Sequence, residues 1–131
     1  MDFTGREWLV TDIPSFEFRI PDSTAEYNIY LNLRNEVSYP NANIYFTYYL
    51  ADSTGAVLQT KLTSQFLFDK KTGEPFGRSG LGDVYDHQFL LLEKRKFRYA
   101  GKFNLKVEQF MRTDTLRGVL SVGVRVEQVA R

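Results

Sequence analysis

A single histidine limits the acid–base and metal chemistry available to this chain. His87 is the only histidine among 131 residues, and cysteine is absent, which removes thiolate nucleophiles, disulfides and cysteine-type zinc sites. Asp83 and Asp86 lie close to His87 in the sequence, but neighbouring side chains of a strand point to opposite faces, so Asp86 and His87 would diverge. A zinc site needs several converging ligands. We therefore predict no catalytic residue, no metal and no cofactor, and we expect His87 to be a partly exposed strand residue.

The segment Gly77-Arg-Ser-Gly-Leu-Gly82 is similar to two catalytic motifs and matches neither. Ser79 would stand in a nucleophile elbow, but Leu81 occupies the place of that motif's second glycine. A phosphate loop would end in Gly-Lys-Ser/Thr and lead into a helix, and this segment does neither. The glycines instead predict a structured loop, within an irregular stretch over residues 69–83 that is a candidate surface for partner contacts.

Positive and negative charges are nearly balanced. Lysine and arginine number 17 against 16 acidic residues, and this net charge of +1 gives no overall field to attract nucleic acid. The one basic cluster, Lys94-Arg-Lys96 with Arg98, alternates with Phe97 and Tyr99, but it is typical of a solvated connection whose lysines discourage pairing between strand edges. We predict no nucleic-acid binding. The spacing of a calcium loop is also absent from the potential carboxylate ligands, which are Asp22, Asp83, Asp86 and Asp114.

Alternating side chains dominate the chain and predict strands. The clearest run is residues 26–35, where four apolar residues alternate with polar ones: Tyr27, Ile29, Leu31 and Leu33. Tyrosine and phenylalanine raise the aromatic fraction to 15%, which also favours strands. No long stretch has the period of a helix. No apolar run approaches the roughly 20 residues of a membrane span.

About eight short strands separated by turns predict one all-β domain over residues 1–131, with a flexible segment at residues 1–7. We predict a two-layer antiparallel β-sandwich of jelly-roll or Greek-key type, because two sheets would cover one apolar face of each strand. Pro40 and Asn41 predict a tight return between residues 27–34 and 43–50, which would then form a hairpin.

The predicted hairpin would gather rings, an amide and a guanidinium on one outward face. Tyrosine and arginine are favoured at the centres of protein contacts, and rings of this kind also stack on sugars. The alternative is that the rings only shield the sheet. The candidate binding residues are Tyr30, Asn32, Arg34, Tyr45 and Tyr49, with Thr47 between the last two.

Short motifs follow one another along nearly the whole chain. They are Trp8, Phe16-Glu-Phe18, Tyr27-Asn28, Leu33-Arg34-Asn35, Tyr39-Pro40, Asn43-Ile44, Gly80-Leu-Gly82-Asp83, Gly101-Lys-Phe103, Gln109-Phe-Met-Arg112, Leu116-Arg-Gly118 and Val122-Gly123-Val-Arg-Val-Glu127. Their order and spacing resemble the GldH family of gliding-motility lipoproteins of Bacteroidetes, from about residue 8 to residue 128. The single positions of this pattern are Trp8, Asn28, Arg34, Tyr39, Pro40, Gly80, Gly82, Asp83, Gly101, Arg112 and Gly123.

The resemblance implies an exported envelope protein that faces the periplasm and is anchored to a membrane by a lipidated cysteine behind a signal peptide. It implies an accessory or scaffold role in the gliding machinery through contacts with other envelope proteins. It brings no catalytic residues, and we predict a non-enzymatic protein. The signal peptide and the cysteine are absent from this sequence, so we expect the chain as given to be soluble. The alternative function is a carbohydrate-binding jelly-roll module that uses Tyr30, Arg34, Tyr45 and Tyr49 to hold a polysaccharide.

Overall fold

The structure is a computed structural model that describes residues 1–80 and 82–130. Ten strands make up nearly all of its regular structure, and a single 3-10 turn spans Thr4–Arg6. The strands are β1 (Glu7–Leu9), β2 (Ser15–Ile20), β3 (Tyr27–Glu36), β4 (Asn43–Asp52), β5 (Val57–Phe66), β6 (Arg78–Ser79), β7 (Val84–Arg95), β8 (Gly101–Gln109), β9 (Thr115–Arg117) and β10 (Val119–Gln128).

Eight of the strands form two antiparallel sheets. The front sheet has the order β2-β8-β4-β5, the back sheet has the order β10-β3-β7-β6, and β1 pairs with β9 in a short ribbon. Successive strands cross repeatedly between the sheets, so strands distant in the sequence become neighbours, with β10 beside β3 and β8 beside β4. The predicted all-β sandwich is confirmed. There are ten strands among the described residues rather than about eight, because β1, β6 and β9 are too short to show a period.

The core lies between the two sheets and follows the alternation of the sequence. In β3 the buried residues are Tyr27, Ile29, Leu31 and Leu33, as predicted. In β4 they include Ile44, Phe46, Tyr48 and Leu50. Each large apolar side chain that moves from water into such a core contributes about 1.5–3 kcal/mol, which is why the two-residue period decides the face of each strand. Tyr48 also joins the layers, since its hydroxyl donates to the carbonyl of Leu91 on β7 at 3.2 Å.

The ribbon of β1 and β9 packs the only tryptophan into the core. Trp8 is completely buried, stacks on Phe3 with 5.0 Å between ring centroids, and donates its indole N–H to the carbonyl of Asp12 at 2.8 Å. The sequence predicts a flexible segment at residues 1–7. In the structure, Phe3 of this segment is buried and Asp2 forms a β-bridge with Ser121 of β10.

The predicted hairpin between residues 27–34 and 43–50 is wrong. Strand β3 lies in the back sheet and β4 in the front sheet, so the segment between them crosses the end of the sandwich. Tyr39 anchors this crossing: its ring is buried and stacked on Phe68, and its hydroxyl donates to the carbonyl of Asn43 at 2.9 Å. A turn signal at Pro40 fixes a change of direction but not the sheet that the next strand joins.

The irregular stretch over residues 69–83 is partly ordered by the back sheet. Strand β6 pairs with Asp86 and Tyr85 of β7, and Phe68 forms a β-bridge with Pro75. Leu81, which interrupts the elbow-like motif and stands inside the Gly80–Asp83 motif, lies outside the described residues. Within the described ranges, no helix has the length and apolar character needed to cross a membrane.

Candidate functional site

The candidate binding residues do not form one patch. Tyr30, Asn32 and Arg34 face outward from β3 on the back sheet, whereas Tyr45 and Tyr49 face outward from β4 on the front sheet. Because the sheets pack with their apolar faces together, the two groups lie on opposite sides of the sandwich. The single Tyr/Arg face that the carbohydrate-binding alternative requires is therefore absent, because the two strands do not form a hairpin.

The outer face of the back sheet carries a polar groove of about 640 Å³, which we call the back groove. Its floor is a row in which Asn32 lies between Gly123 of β10 and Gln88 of β7. Arg34 forms one wall: its Nε lies 2.7 Å from Oδ1 of Asp86, and its Nη2 lies 3.4 Å from Oδ2 of the same carboxylate. This two-point contact raises the pKa of the Arg34 guanidinium. The pair is half exposed and contributes little to stability.

Arg125 lines the other side of the back groove and lies next to Tyr30, its partner across the β10–β3 ladder. The guanidinium of Arg125 lies over the Tyr30 ring, 5.8 Å from its centroid, and also binds Glu127 at 2.8 Å. Since Arg125 covers the Tyr30 ring, that ring is not a free stacking platform. The sequence indicated Arg34 and Asn32 in this region but missed Arg125 and Gln88, which the alternation of β10 and β7 would have placed on the same outward face.

The outer face of the front sheet carries a second concavity of about 590 Å³, which we call the front groove. Its apolar lining includes Ile13, Tyr49 and Val57. Its charged lining residues are Glu17, Asp52, Lys102, Lys106 and Glu108. The Tyr49 hydroxyl donates to Oε1 of Glu108 at 2.8 Å, and this contact with a carboxylate raises the pKa of Tyr49. An apolar floor with a few placed polar groups is typical of sites that bind other molecules.

An apolar strip continues the outer face of the front sheet beyond the front groove. Four large side chains remain 44–52% exposed there: Tyr45, Leu62, Phe66 and Phe110. Leu62 lies beside Thr47 across the β4–β5 ladder, and the N–H of Phe110 donates to the carbonyl of Tyr45 at 2.8 Å. Of these residues, sequence reasoning singled out only Tyr45. Phe110 continues the alternation in which Lys106 and Glu108 face outward. This alternation is the sequence signal that places Phe110 on the outer face.

His87 is buried rather than partly exposed. Its side chain points into the core while Asp86 points outward, so the predicted divergence of this pair is confirmed. Nε2 of His87 lies 2.7 Å from Oδ1 of Asn35, whose amide nitrogen donates to the carbonyl of Glu36. The imidazole must therefore donate from Nε2. Burial lowers the pKa of His87, so the ring is neutral at physiological pH.

The other sequence candidates lie in structural positions. Phe97, beside the basic cluster, is buried in the core, and its ring centroid lies 4.6 Å from that of Phe103. The Phe97 ring is therefore not free to stack on a base. Tyr99 stacks on the same ring. Across residues 1–80 and 82–130, no three acidic or histidine side chains converge as metal ligands. The aspartates considered for calcium are therefore not gathered in one place.

Comparisons with known proteins agree with the family that the motif order indicates. A sequence model described as GldH lipoprotein matches residues 1–126. The chain belongs to the GldH lipoprotein family. A gliding motility lipoprotein GldH homolog from Christiangramia forsetii is 30% identical over 129 residues, which cover 93% of this chain and 78% of the relative. Gliding motility lipoprotein GldH from Flavobacterium johnsoniae is 27% identical over 132 residues, which cover 95% of this chain and 79% of the relative. No solved structure matches the chain.

Membership of the GldH family places the protein at a membrane of the cell envelope, as the lipoprotein name states. Several motif positions of this GldH chain serve the fold. Trp8 and Tyr39 are core residues. Asn28 holds a bulge of β7: its Oδ1 accepts a hydrogen bond at 2.9 Å from the N–H of Lys94, whose φ is +49°. Arg34 and Gly123 differ from these, because both lie on the open outer face of the back sheet.

Proposed function

We propose that this GldH-family protein is a non-enzymatic accessory or scaffold component of the gliding machinery. In this proposal its sandwich faces the periplasm and acts through contacts with other envelope proteins. The observation that carries the proposal is the apolar strip of Tyr45, Leu62, Phe66 and Phe110 beside the front groove. Large contiguous apolar patches on a folded surface mark interaction sites, and aromatic residues are enriched at the centres of such contacts.

The position of the only histidine supports a non-enzymatic role. His87 is the one imidazole that could act as a general base, and it is 8% exposed, neutral and bonded to the amide of Asn35. Gly77 also packs against its ring, because a Cβ at that position would lie 2.7 Å from the imidazole. The ring borders the back groove, but a base that is buried and already hydrogen-bonded is poorly placed to take a proton from a substrate.

The proposal is tested by complementation in a gliding host. Deletion of the gene should abolish spreading, and the full-length lipidated protein should restore it. The double variant Tyr45→Asp with Phe110→Asp should fail to restore spreading, because two carboxylates would be desolvated at the centre of an apolar contact. A matched control is Leu90→Asp, since Leu90 is 44% exposed on the outer face of the back sheet.

Two measurements keep the result interpretable. Thermal unfolding of the soluble chain should show that the double variant folds, and membrane fractionation should show that the lipidated variant reaches the envelope. Normal spreading of the deletion strain contradicts the role in gliding. Full restoration by the double variant contradicts the apolar strip as the contact surface.

A further inference from the structure

The free edge of the front sheet is a long strand with few of the usual protections. Among the described strands, β5 pairs only with β4, and seven of its ten residues are exposed. Its sequence contains one charged residue, Lys61, and neither proline nor glycine. Natural edge strands are normally short, charged, bulged or covered, because an open edge is a template for pairing with another chain. A register shift lies at Leu58, but residues 59–66 pair with β4 without interruption and expose Leu62 and Phe66, which leaves a template for an occupant.

The hydrogen bonds of β4 identify which backbone groups of β5 point to the free edge. The carbonyl of Tyr45 accepts from the N–H of Phe110, the residue after β8, so the N–H and C=O of Tyr45 face the β8 side and those of Phe46 face β5. In β5, the backbone of Thr63 opposite Phe46 is therefore bonded to β4. By the same alternation, the backbone groups that point to the free edge belong to Thr60, Leu62, Ser64 and Phe66, and the register shift at Leu58 ends this alternation.

Strand β5 also reads nearly the same in both directions from Leu62. The immediate neighbours of Leu62 are Lys61 and Thr63. Outside them lie two hydroxyl residues, Thr60 and Ser64, then two glutamines, Gln59 and Gln65. The outermost pair, Leu58 and Phe66, is apolar. Thr60 and Ser64, whose backbone groups point to the free edge on either side of Leu62, are thus alike in chemical character. This symmetry is what a strand needs to pair with a copy of itself across a two-fold axis.

We propose that the occupant is a second copy of this chain, paired through antiparallel β5 strands with Leu62 on the two-fold axis. In this register each Leu62 faces Leu62 of the second copy, and Thr60 faces Ser64. Apolar residues meet apolar residues and hydroxyl residues meet hydroxyl residues, which is the favourable type of cross-strand pair. Lys61 faces Thr63 of the other copy, so no like charges are directly opposed.

Charge and polarity select this register over its two neighbours. Only registers that bring edge-pointing backbone groups together can form the ladder, so the nearest alternatives shift the axis by one residue, to Lys61 or to Thr63. The Lys61 register would place Lys61 directly opposite Lys61 of the second copy, which is destabilising. The Thr63 register would place the apolar Leu62 opposite the hydroxyl residue Ser64, and so loses the matched pairs. The Leu62 register joins two four-stranded front sheets into one continuous sheet. Both outer faces, each with its groove and with Tyr45 and Phe110, then lie on the same side.

The oligomeric state in solution provides the first test. We expect multi-angle light scattering to give twice the 15.2 kDa mass of the chain at high concentration, with dissociation on dilution. Leu62→Lys should raise the dissociation constant at least tenfold, because it would place like charges on the axis. Leu90→Lys, an equivalent change outside β5, should leave the dimer intact. Circular dichroism should show that both variants remain folded.

Single cysteines provide the second test, since the chain has no native cysteine to interfere. Facing residues of a hydrogen-bonded antiparallel pair have Cα atoms about 5.5 Å apart, within the range of a disulfide. Leu62→Cys should therefore cross-link to its copy on mild oxidation. Lys61→Cys should not, because its Cα would lie about 7–8 Å from Lys61 of the other copy in this register.

Three results would overturn the proposal. They are a monomer at all concentrations from micromolar to submillimolar, a dimer whose dissociation constant is unchanged by Leu62→Lys, and cross-linking of Lys61→Cys in preference to Leu62→Cys. The outcome is independent of the proposed role in gliding. The gliding test changes Tyr45 and Phe110, which lie on β4 and in the segment after β8, whereas this test changes β5 alone.

Discussion

At the level of single residues, Gly118 and Gly123 differ in whether the structure requires a glycine. Gly118 has φ +94°, and a Cβ there would lie 2.8 Å from Cα of Tyr39. Its N–H and C=O are also both used, by Arg6 and by Glu36. Gly123 has no left-handed φ and no atom within 4 Å of a Cβ. Backbone conformation and packing thus explain Gly118, and neither explains Gly123.

This contrast predicts opposite changes in stability for the same substitution. Gly123→Ala should raise the free energy of unfolding by about 0.5–1 kcal/mol, because alanine loses less backbone entropy than glycine in a strand. Gly118→Ala should lower it by about 1–3 kcal/mol through backbone strain and the close contact with Tyr39. Urea unfolding of the two variants beside the parent chain measures both. A loss of stability in Gly123→Ala would show that the open space above the back groove is needed by the fold.

At the level of elements, β7 joins the back sheet to the stretch over residues 69–83 through His87. Gly77 of that stretch lies directly against the imidazole, whose Nε2 donates to Asn35 of β3. Asp86, one residue earlier, faces outward and is the one charge that raises the pKa of His87, but burial outweighs it and the net shift is downward. Protonation of this ring therefore places a charge between the strand and the segment that packs on it.

The lowered pKa of His87 predicts that the protein loses stability in mild acid. In the unfolded chain the imidazole takes up a proton near its ordinary pKa of about 6.5, whereas the folded chain resists protonation to lower pH. The contribution is fully present above that value, and it is lost as the pH falls from about 7 towards 5. Urea unfolding across this range should show the decrease, and His87→Gln should flatten it. An equal slope in the variant would assign the pH dependence to other groups.

Elements also differ in how far the sequence could predict them. The alternation of β3 and β4 fixed which side chains are buried, because a two-residue period leaves one face for the core. It could not fix the sheet to which each strand belongs, so Tyr30 and Arg34 were wrongly expected beside Tyr45. The burial pattern of β5 is harder still to predict from the sequence. Its inward positions, such as Gln59 and Lys61, lie at the margin of the sandwich and are polar, which weakens the usual signal.

At the level of the whole molecule, the sandwich has four sheet edges, and they are protected differently. In the back sheet, β6 is only two residues long, and β10 is bordered by the N-terminal segment through the Asp2–Ser121 bridge. In the front sheet, β2 is six residues long and carries Glu17 and Arg19. Strand β5 is ten residues long, and among the described strands only β4 pairs with it. The proposed dimer would cover this edge.

The protection of β10 predicts that residues 1–3 stabilise the fold. The N–H of Phe3 donates to the carbonyl of Leu120, the carbonyl of Met1 accepts from Val122, and the buried Phe3 ring stacks on Trp8. Deletion of these three residues should lower the melting temperature by several degrees, because the burial of Phe3 contributes about 1.5–3 kcal/mol. It should also shift the emission of the only tryptophan to longer wavelength, because Trp8 would meet water.

A matched variant separates the ring from the strand-like pairing. Phe3→Ala removes the stack on Trp8 but keeps the backbone bonds to Leu120 and Val122, so it should reproduce the shift in tryptophan emission. Only the deletion exposes the edge of β10. It should therefore cause a second kind of association, through β10, which the Leu62→Lys change in β5 does not suppress. If the deletion leaves both the melting temperature and the emission unchanged, the N-terminal segment is not part of the folded sandwich.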